Sequence, residues 1–285
     1  MKRRTQNFDS RQILSNENFE VFHYRDEKPF QVSVHHHDFY EIYLFLEGDV
    51  TYRVEGKIFV LEPLDLLLIN PAELHQPVIS KGPYERIVLW INKNYLQSLS
   101  AEGENLLFCF EKEGHNRLHP DTVKSGRILD LMKKLSREFN AEKPYHSLYA
   151  TGLFYQLISE VNRLAKKDIA TYQNEKDDLC GKVINYINEN YDKKLSLDSL
   201  SDEFFVSKYH LSHEFKAQYG TGIYKYITLK RLLIAREFLA DGERVGEVYK
   251  ACGFNDYTTF FRAFKAEYGI SPADYCKQLK ERSRT

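Results

Sequence analysis

From residue 19 to residue 91, apolar and polar residues alternate in short runs, the period-two pattern of half-buried strands. The runs are 19–24, 30–36, 40–46, 50–54, 57–61, 66–69 and 86–91, with turn residues at Glu47-Gly48-Asp49, Glu55-Gly56 and Asn70-Pro71. Many short strands with tight connections predict a small β-barrel or a double-sheet jelly roll. After Lys93 the period becomes helical. Ile128, Leu131, Met132, Leu135 and Phe139 form one stripe, Pro144 breaks it, and Leu153, Phe154, Leu157, Ile158, Val161 and Leu164 form a second. Residues 99–119 fit neither period and read as loop with short pieces. Residues 168–178 carry no apolar period and read as a linker.

Beyond the linker the pattern is helical and duplicated. Phe215-Lys216-Ala217-Gln218-Tyr219-Gly220 returns 49 positions later as Phe264-Lys265-Ala266-Glu267-Tyr268-Gly269. At that offset Leu200 falls on Tyr249, Phe205 on Phe254, Leu211 on Phe260 and Tyr226 on Tyr275. Each copy reads as two short helices. Ser196 and Ser207 cap those of the first, Asp256 caps the second helix of the second, and Gly220 and Gly269 stop the two repeats. With Leu211, Phe215, Phe260 and Phe264 inward, Lys208, Tyr209, Ser212, His213 and Lys216 face outward in one copy. Tyr257, Thr258, Phe261, Arg262 and Lys265 do so in the other. A helix pair of this size with a polar second helix is the helix-turn-helix pattern, whose second helix enters the major groove. Residues 223–239, with Tyr226, Ile227, Leu232, Ala235 and Leu239 inward, would join the copies.

At Ser207, His210, Leu211-Ser212, Phe215-Lys216, Gly220, Arg231-Leu232, Ala235, Gly253-Phe254, Phe260, Arg262, Phe264-Lys265, Gly269 and Pro272 the chain resembles the AraC/XylS family of bacterial transcription regulators. It departs from that pattern at Ser201 and Tyr249, where a small Ala is usual, at Cys276, where a basic residue is common, and at His213, which replaces a frequent Arg. The resemblance implies base contacts from Tyr209, Ser212, His213, Tyr257, Thr258 and Arg262, with Lys208, Lys216 and Lys265 on phosphates. It also implies double-stranded promoter DNA as a partner, a small-molecule effector, RNA polymerase if the protein activates, and a homodimer formed through the helical hairpin of residues 93–167. The hairpin's stripes could equally pack on their own barrel.

Within the strand region, His35, His37 and Glu41 share parity, so on a continuous strand they would face one side, and His75 could approach them from a neighbour. This arrangement resembles the first cupin motif, with His75 at the histidine of the second. In metal-binding cupins such positions hold a divalent ion, so His35, His37, Glu41 and His75 are candidate ligands. Pro29 and Leu64 stand where the motifs have glycines. The alternatives are a polar pocket or a hydrogen-bonded cluster without a resident cofactor. Pocket candidates are His35, His37, Glu41, Tyr43 and His75, with Tyr52 and Trp90 following. His36, of opposite parity, should face solvent.

Length and composition bound these readings. The chain of 285 residues suffices for two domains, expected at 1–167 and 179–285. The expected fold is α+β: a cupin-like β-barrel or jelly roll with a helical hairpin, then an all-α domain with two helix-turn-helix motifs. Formal net charge is −1, and residues 177–285 hold 17 Lys+Arg against 16 Asp+Glu, so placement and not net charge must carry DNA binding. Asp198, Asp202, Glu203 and Glu247 are expected on helices facing away from the duplex. Cys109, Cys180, Cys252 and Cys276 are far apart and read as thiols of a reducing cytosol. No run approaches the ~18 apolar residues of a membrane span, so the expectation is a cytoplasmic protein. The function expected is ligand-responsive transcription regulation, the effector being a sugar or another small metabolite. The competing class is a metal-dependent cupin oxygenase or isomerase with a helical appendix.

Overall fold

The structure, a computed structural model, describes residues 12, 14–71, 73–100, 104–111, 116–168 and 178–282. The chain divides into two compact units, Met1–Lys176 and Asp177–Thr285. Residues 169–177, most of the expected linker, lie outside the described residues.

The first unit is built on an antiparallel sheet of β1 (Phe19–Asp26), β2 (Phe39–Val54), β3 (Lys57–Val60), β4 (Leu66–Ile69), β5 (His75–Asn92) and β6 (Arg117–Leu118). Its order is β1-β5-β2-β4-β6, with β3 also on β2. The long pair β2 and β5 runs antiparallel from Phe39 opposite Asn92 to Val54 opposite His75, with register shifts between Phe45 and Val50. Period two sorts the side chains between two faces. Tyr40, Ile42, Leu44, Ile87, Leu89 and Ile91 pack against the helices, while Phe39, Tyr43, Phe45, Tyr52, Val88 and Trp90 form a second, aromatic interior.

Three strand expectations need correction. Residues 30–34 form no strand, and His35 makes only an isolated bridge to His75. The segments 40–46 and 50–54 are one strand, because Glu47-Gly48-Asp49 is a run of register shifts and not a turn. Gly48 sits there at φ +141°, with Pro83 O only 3.0 Å from where a Cβ would stand. The expected 86–91 strand begins at His75, eleven residues earlier.

Residues 99–119 contain α2 (Phe108–Glu111) and β6, after α1 (Lys93–Leu99). A short α3 (Pro120–Ser125) leads into the expected hairpin, α4 (Ile128–Phe139) and α5 (His146–Asp168). Its stripe residues Ile128, Leu131, Met132, Leu135, Phe154, Leu157, Ile158 and Val161 are buried against the sheet. The stripes therefore do pack on their own sheet.

The second unit is all helical: α6 (Leu179–Glu189), α7 (Leu197–Glu203), α8 (Lys208–Tyr219), α9 (Ile223–Ala240), α10 (Val245–Ala251), α11 (Tyr257–Tyr268) and α12 (Pro272–Arg282). Ser196 caps α7 through a capping box with Ser199, Ser207 caps α8 and Asp256 caps α11. Gly220 and Gly269 end α8 and α11 in the left-handed conformation. Leu211, Phe215, Phe260 and Phe264 are fully buried. Truncating any one of these three buried phenylalanines to Ala would cost about 3–5 kcal/mol.

The repeat carries a register change that the offset of 49 conceals. Phe205 N–H bonds Asp202 O and Gly253 N–H bonds Lys250 O, and both residues have positive φ, +53° and +77°. The turns thus superpose at an offset of 48, with Leu200 on Val248, Ser201 on Tyr249 and Phe205 on Gly253. One extra residue, Asn255, then restores 49 before the caps Ser207 and Asp256. The pairings of Leu200 with Tyr249 and of Phe205 with Phe254 are therefore corrected. Phe205 is 96% exposed, whereas Phe254 is buried.

Candidate nucleic-acid interface and buried cavity

On α8 the residues Lys208, Tyr209, Ser212, His213 and Lys216 are all exposed, Tyr209 by 80%. Tyr209 and His213, one turn apart, stack with ring centroids 5.9 Å apart. Lys208 forms an ion pair with Asp198 of α7. On α11 Thr258, Arg262 and Lys265 are exposed, and Phe261 is half-buried. Tyr257, 40% exposed, packs its ring on Tyr249, Phe260 and Phe261. Arg262, Lys216 and Lys265 form no ion pair among the described residues. Uncommitted cations on a capped helix face are what a phosphate or a guanine edge requires.

The two reading units are locked together through α9. Arg231 donates from Nε to Tyr191 O at 2.8 Å and from Nη2 to Lys193 O at 2.7 Å, tying α9 to the loop before α7. Its guanidinium also lies 5.8 Å from the Phe254 ring, in the second turn. At Gly253 a Cβ would stand 2.4 Å from Tyr191 O and 2.9 Å from the Arg231 guanidinium. Glycine is thus required twice over, by its positive φ and by this approach.

In the first unit a cavity of about 620 Å³ opens into the aromatic interior. Of the expected pocket residues, His35, Glu41 and Tyr43 line it, as do Tyr52 and Trp90; His37 and His75 do not. The largest omission from sequence reasoning is Arg86, buried to 6% exposure and ion-paired with Asp26. Its guanidinium stacks 4.0 Å from the Tyr84 ring and 4.6 Å from that of Tyr24, all three lining the cavity. Parity offered the signal, since Arg86 lies four residues before Trp90 and so on the same face. Burial pushes the Tyr43 and Tyr52 hydroxyls well above their ordinary pKa, so they are neutral donors. Tyr43 and Tyr84 share a hydrogen bond of 2.8 Å.

Behind the cavity wall, His37, Glu41 and His75 come together, all buried, with one donor atom of each within 4.8 Å of the others. Parity did not bring the histidines there, because no strand joins His35 to His37. His36 is buried at 8% exposure and does not face solvent as expected. Trp90 Nε1 donates to Glu41 at 2.8 Å. His75 Nδ1 donates to Glu73 O at 3.0 Å, which fixes the tautomer and leaves Nε2 as a lone pair. That Nε2 and both His37 nitrogens are buried without a hydrogen-bond partner, a state that costs about 1–3 kcal/mol per group. His37 Nε2 stands 3.4 Å from the Glu41 carboxylate. Burial pulls the His35 pKa down to about 4 and that of His75 well below its usual value, so both are neutral imidazoles near pH 7. His35 Nδ1 donates to Ser33 O, and its ring lies 4.3 Å from that of His75.

The AraC-like ligand binding domain matches residues 18–158, and a helix-turn-helix domain matches residues 200–278. A probable transcriptional regulator of Photobacterium leiognathi, LumQ, is 26% identical over 245 residues, covering 85% of this chain and 90% of that protein. The transcriptional activator RhaS of Escherichia coli O81 is 24% identical, covering 84% and 86%. Among solved structures, a ToxT variant from Vibrio cholerae is 16% identical with a TM-score of 0.37, covering 93% and 98%. With a ligand-binding unit of the matched kind followed by two capped helix-turn-helix units, the chain belongs to the AraC family of transcription regulators.

Proposed function

We propose that the chain reads a bipartite DNA site with α8 and α11 in two successive major-groove segments and that a small molecule in the cavity controls this reading. The observation that carries the proposal is the pair of reader helices, each with a buried aromatic face and an exposed polar one, pinned through Arg231 and Gly253. The 18 residues of α9 span about 27 Å, the order of the ~34 Å between groove segments one duplex turn apart. Tyr209, Ser212 and His213 on one helix, and Tyr257, Thr258 and Arg262 on the other, are assigned to base edges. Lys216 and Lys265 are assigned to phosphates. Lys208 joins them only by exchanging Asp198 for a phosphate, so its contribution is the smallest of the three.

The cavity suits a polar molecule of modest size, with Arg86 and the tyrosine hydroxyls as hydrogen-bonding groups and aromatic walls for stacking. Such a molecule governs DNA binding only by favouring one state of the protein over another, since equal affinity for both shifts nothing. The cavity is assigned to binding and not to catalysis. A homodimer would present two bipartite half-sites. The RhaS relatives are named as activators, and we assign activation, with RNA polymerase as partner, by that likeness. No described helix is long and apolar enough to cross a membrane, which fits a regulator working beside the chromosome in the cytoplasm.

Arg262→Ala tests the assignment. Fluorescence-anisotropy titration of operator DNA should show specific affinity falling ten- to a hundredfold, on the order of 1–3 kcal/mol, with the far-UV spectrum unchanged. Unaltered specific affinity would remove Arg262 from the reading surface.

A further inference from the structure

We propose that His37, Glu41 and His75 bind a divalent first-row transition ion inside the ligand-binding unit. The three side chains come from different parts of the chain: the segment before β2, β2 itself, and the first residue of β5. They nevertheless converge, with donor atoms within 4.8 Å of one another. Two imidazoles and one carboxylate form a donor set of borderline softness, suited to Zn(II), Fe(II), Co(II) or Ni(II) and poorly to Mg(II) or Ca(II), which prefer oxygen ligands alone.

The surroundings favour a metal over an internal hydrogen-bond cluster. A self-satisfied cluster would pair its buried nitrogens, yet His75 Nε2 and His37 Nδ1 have no hydrogen-bond partner, and His37 Nε2 meets the Glu41 carboxylate only at 3.4 Å without forming a hydrogen bond. The outer contacts are those that metal ligands need. The Glu73 carbonyl holds His75 with its Nε2 lone pair available, and the Trp90 indole anchors the Glu41 carboxylate from outside. His37 is held by ring stacking on Phe39, centroids 4.0 Å apart, which fixes its plane without consuming a nitrogen. An ion at this point would tie the segment before β2 to β5. Glu41 also lines the cavity, so the ion would be linked to the effector site through a shared residue.

The test uses the full chain without a histidine tag, stripped with chelator and titrated with Co(II) and Zn(II). The expected result is about one ion per chain by elemental analysis, visible Co(II) ligand-field bands, and imidazole scattering in the X-ray absorption spectrum of the Zn(II) form. His75→Gln should weaken Co(II) binding by about tenfold or more. Far-UV dichroism of the metal-free variant checks that it folds. Should it not fold, the wild-type absorption spectrum still decides, because a zinc shell without imidazole overturns the site. Sub-stoichiometric Zn(II) in the wild type, or a folded His75→Gln that binds Co(II) as tightly, overturns it as well.

Discussion

Phe205 and Gly253 occupy the same left-handed position in the two helix-turn-helix turns, at φ +53° and +77°. A bulky residue there carries strain of about 1–2 kcal/mol, and Phe205 recovers little by burial because it is 96% exposed. Phe205→Gly should therefore stabilise the second unit by roughly 0.5–1 kcal/mol, net of the extra chain entropy glycine brings to the unfolded state. Gly253→Ala should destabilise it by more than about 2 kcal/mol, since backbone strain adds to a Cβ placed 2.4 Å from Tyr191 O. Urea unfolding followed by far-UV dichroism checks both, with Trp90 fluorescence reporting separately on the first unit, which contains the chain's single tryptophan. A destabilised Phe205→Gly or an unaffected Gly253→Ala would contradict this account. At this scale the caps Ser196, Ser207 and Asp256 were legible because a cap is a local event between a side chain and an amide two or three residues on. The inserted Asn255 was not, since the strong match after each turn imposed its offset on the weaker stretch before it. Nor was the burial of His36, which follows from where an irregular segment runs and not from parity.

The helices were easier to read than the strands. In α4 and α5 the stripe spacing depends on the helix alone, and Pro144 marks the break between them. In β2 the bulged Glu47-Gly48-Asp49 resembles a turn, and in β5 the stretch Ser80-Lys81-Gly82-Pro83 does the same, so in sequence the first long strand reads as two and the second as shorter than it is. Both readings fail for one reason: partner strands hold polar, glycine-bearing residues extended, and pairing between distant segments leaves no trace in local sequence. The hairpin also carries an apolar surface that its own sheet does not cover. Tyr145, Leu148 and Tyr149 remain exposed, Leu148 by 70%, beside Leu131 and Leu153 in a groove of about 390 Å³. If the proposed homodimer forms through the hairpin, this is the face that would carry it. Leu148→Glu should raise the dimer dissociation constant at least about tenfold by placing a charge in an apolar contact, and should leave the monomer's melting temperature nearly unchanged. Analytical ultracentrifugation across a concentration series checks it; an unchanged dissociation constant would exclude this face.

For the molecule as a whole, the duplicated reader carries the account, and it was the most legible feature because a repeat announces itself without any reference structure. What the repeat could not supply is how the two copies are held relative to each other. Arg231 spans Tyr191 O and Lys193 O, and Gly253 admits the second turn against the same loop, so these contacts tie the two copies together. The cavity was legible only in part. Glu41, Tyr43, Tyr52, Trp90 and, four residues before Trp90, Arg86 were within reach of parity, whereas His35 lies on an irregular segment and the approach of Tyr24 to Arg86 depends on how β1 pairs with β5. Methylation protection on a bound operator tests the central claim most directly. Two protected major-groove patches per protomer, about one helical turn apart, are expected, with Arg262→Ala erasing one and Ser212→Ala with His213→Ala erasing the other. A single patch per protomer, or loss of both patches from either change alone, would contradict a two-handed reader.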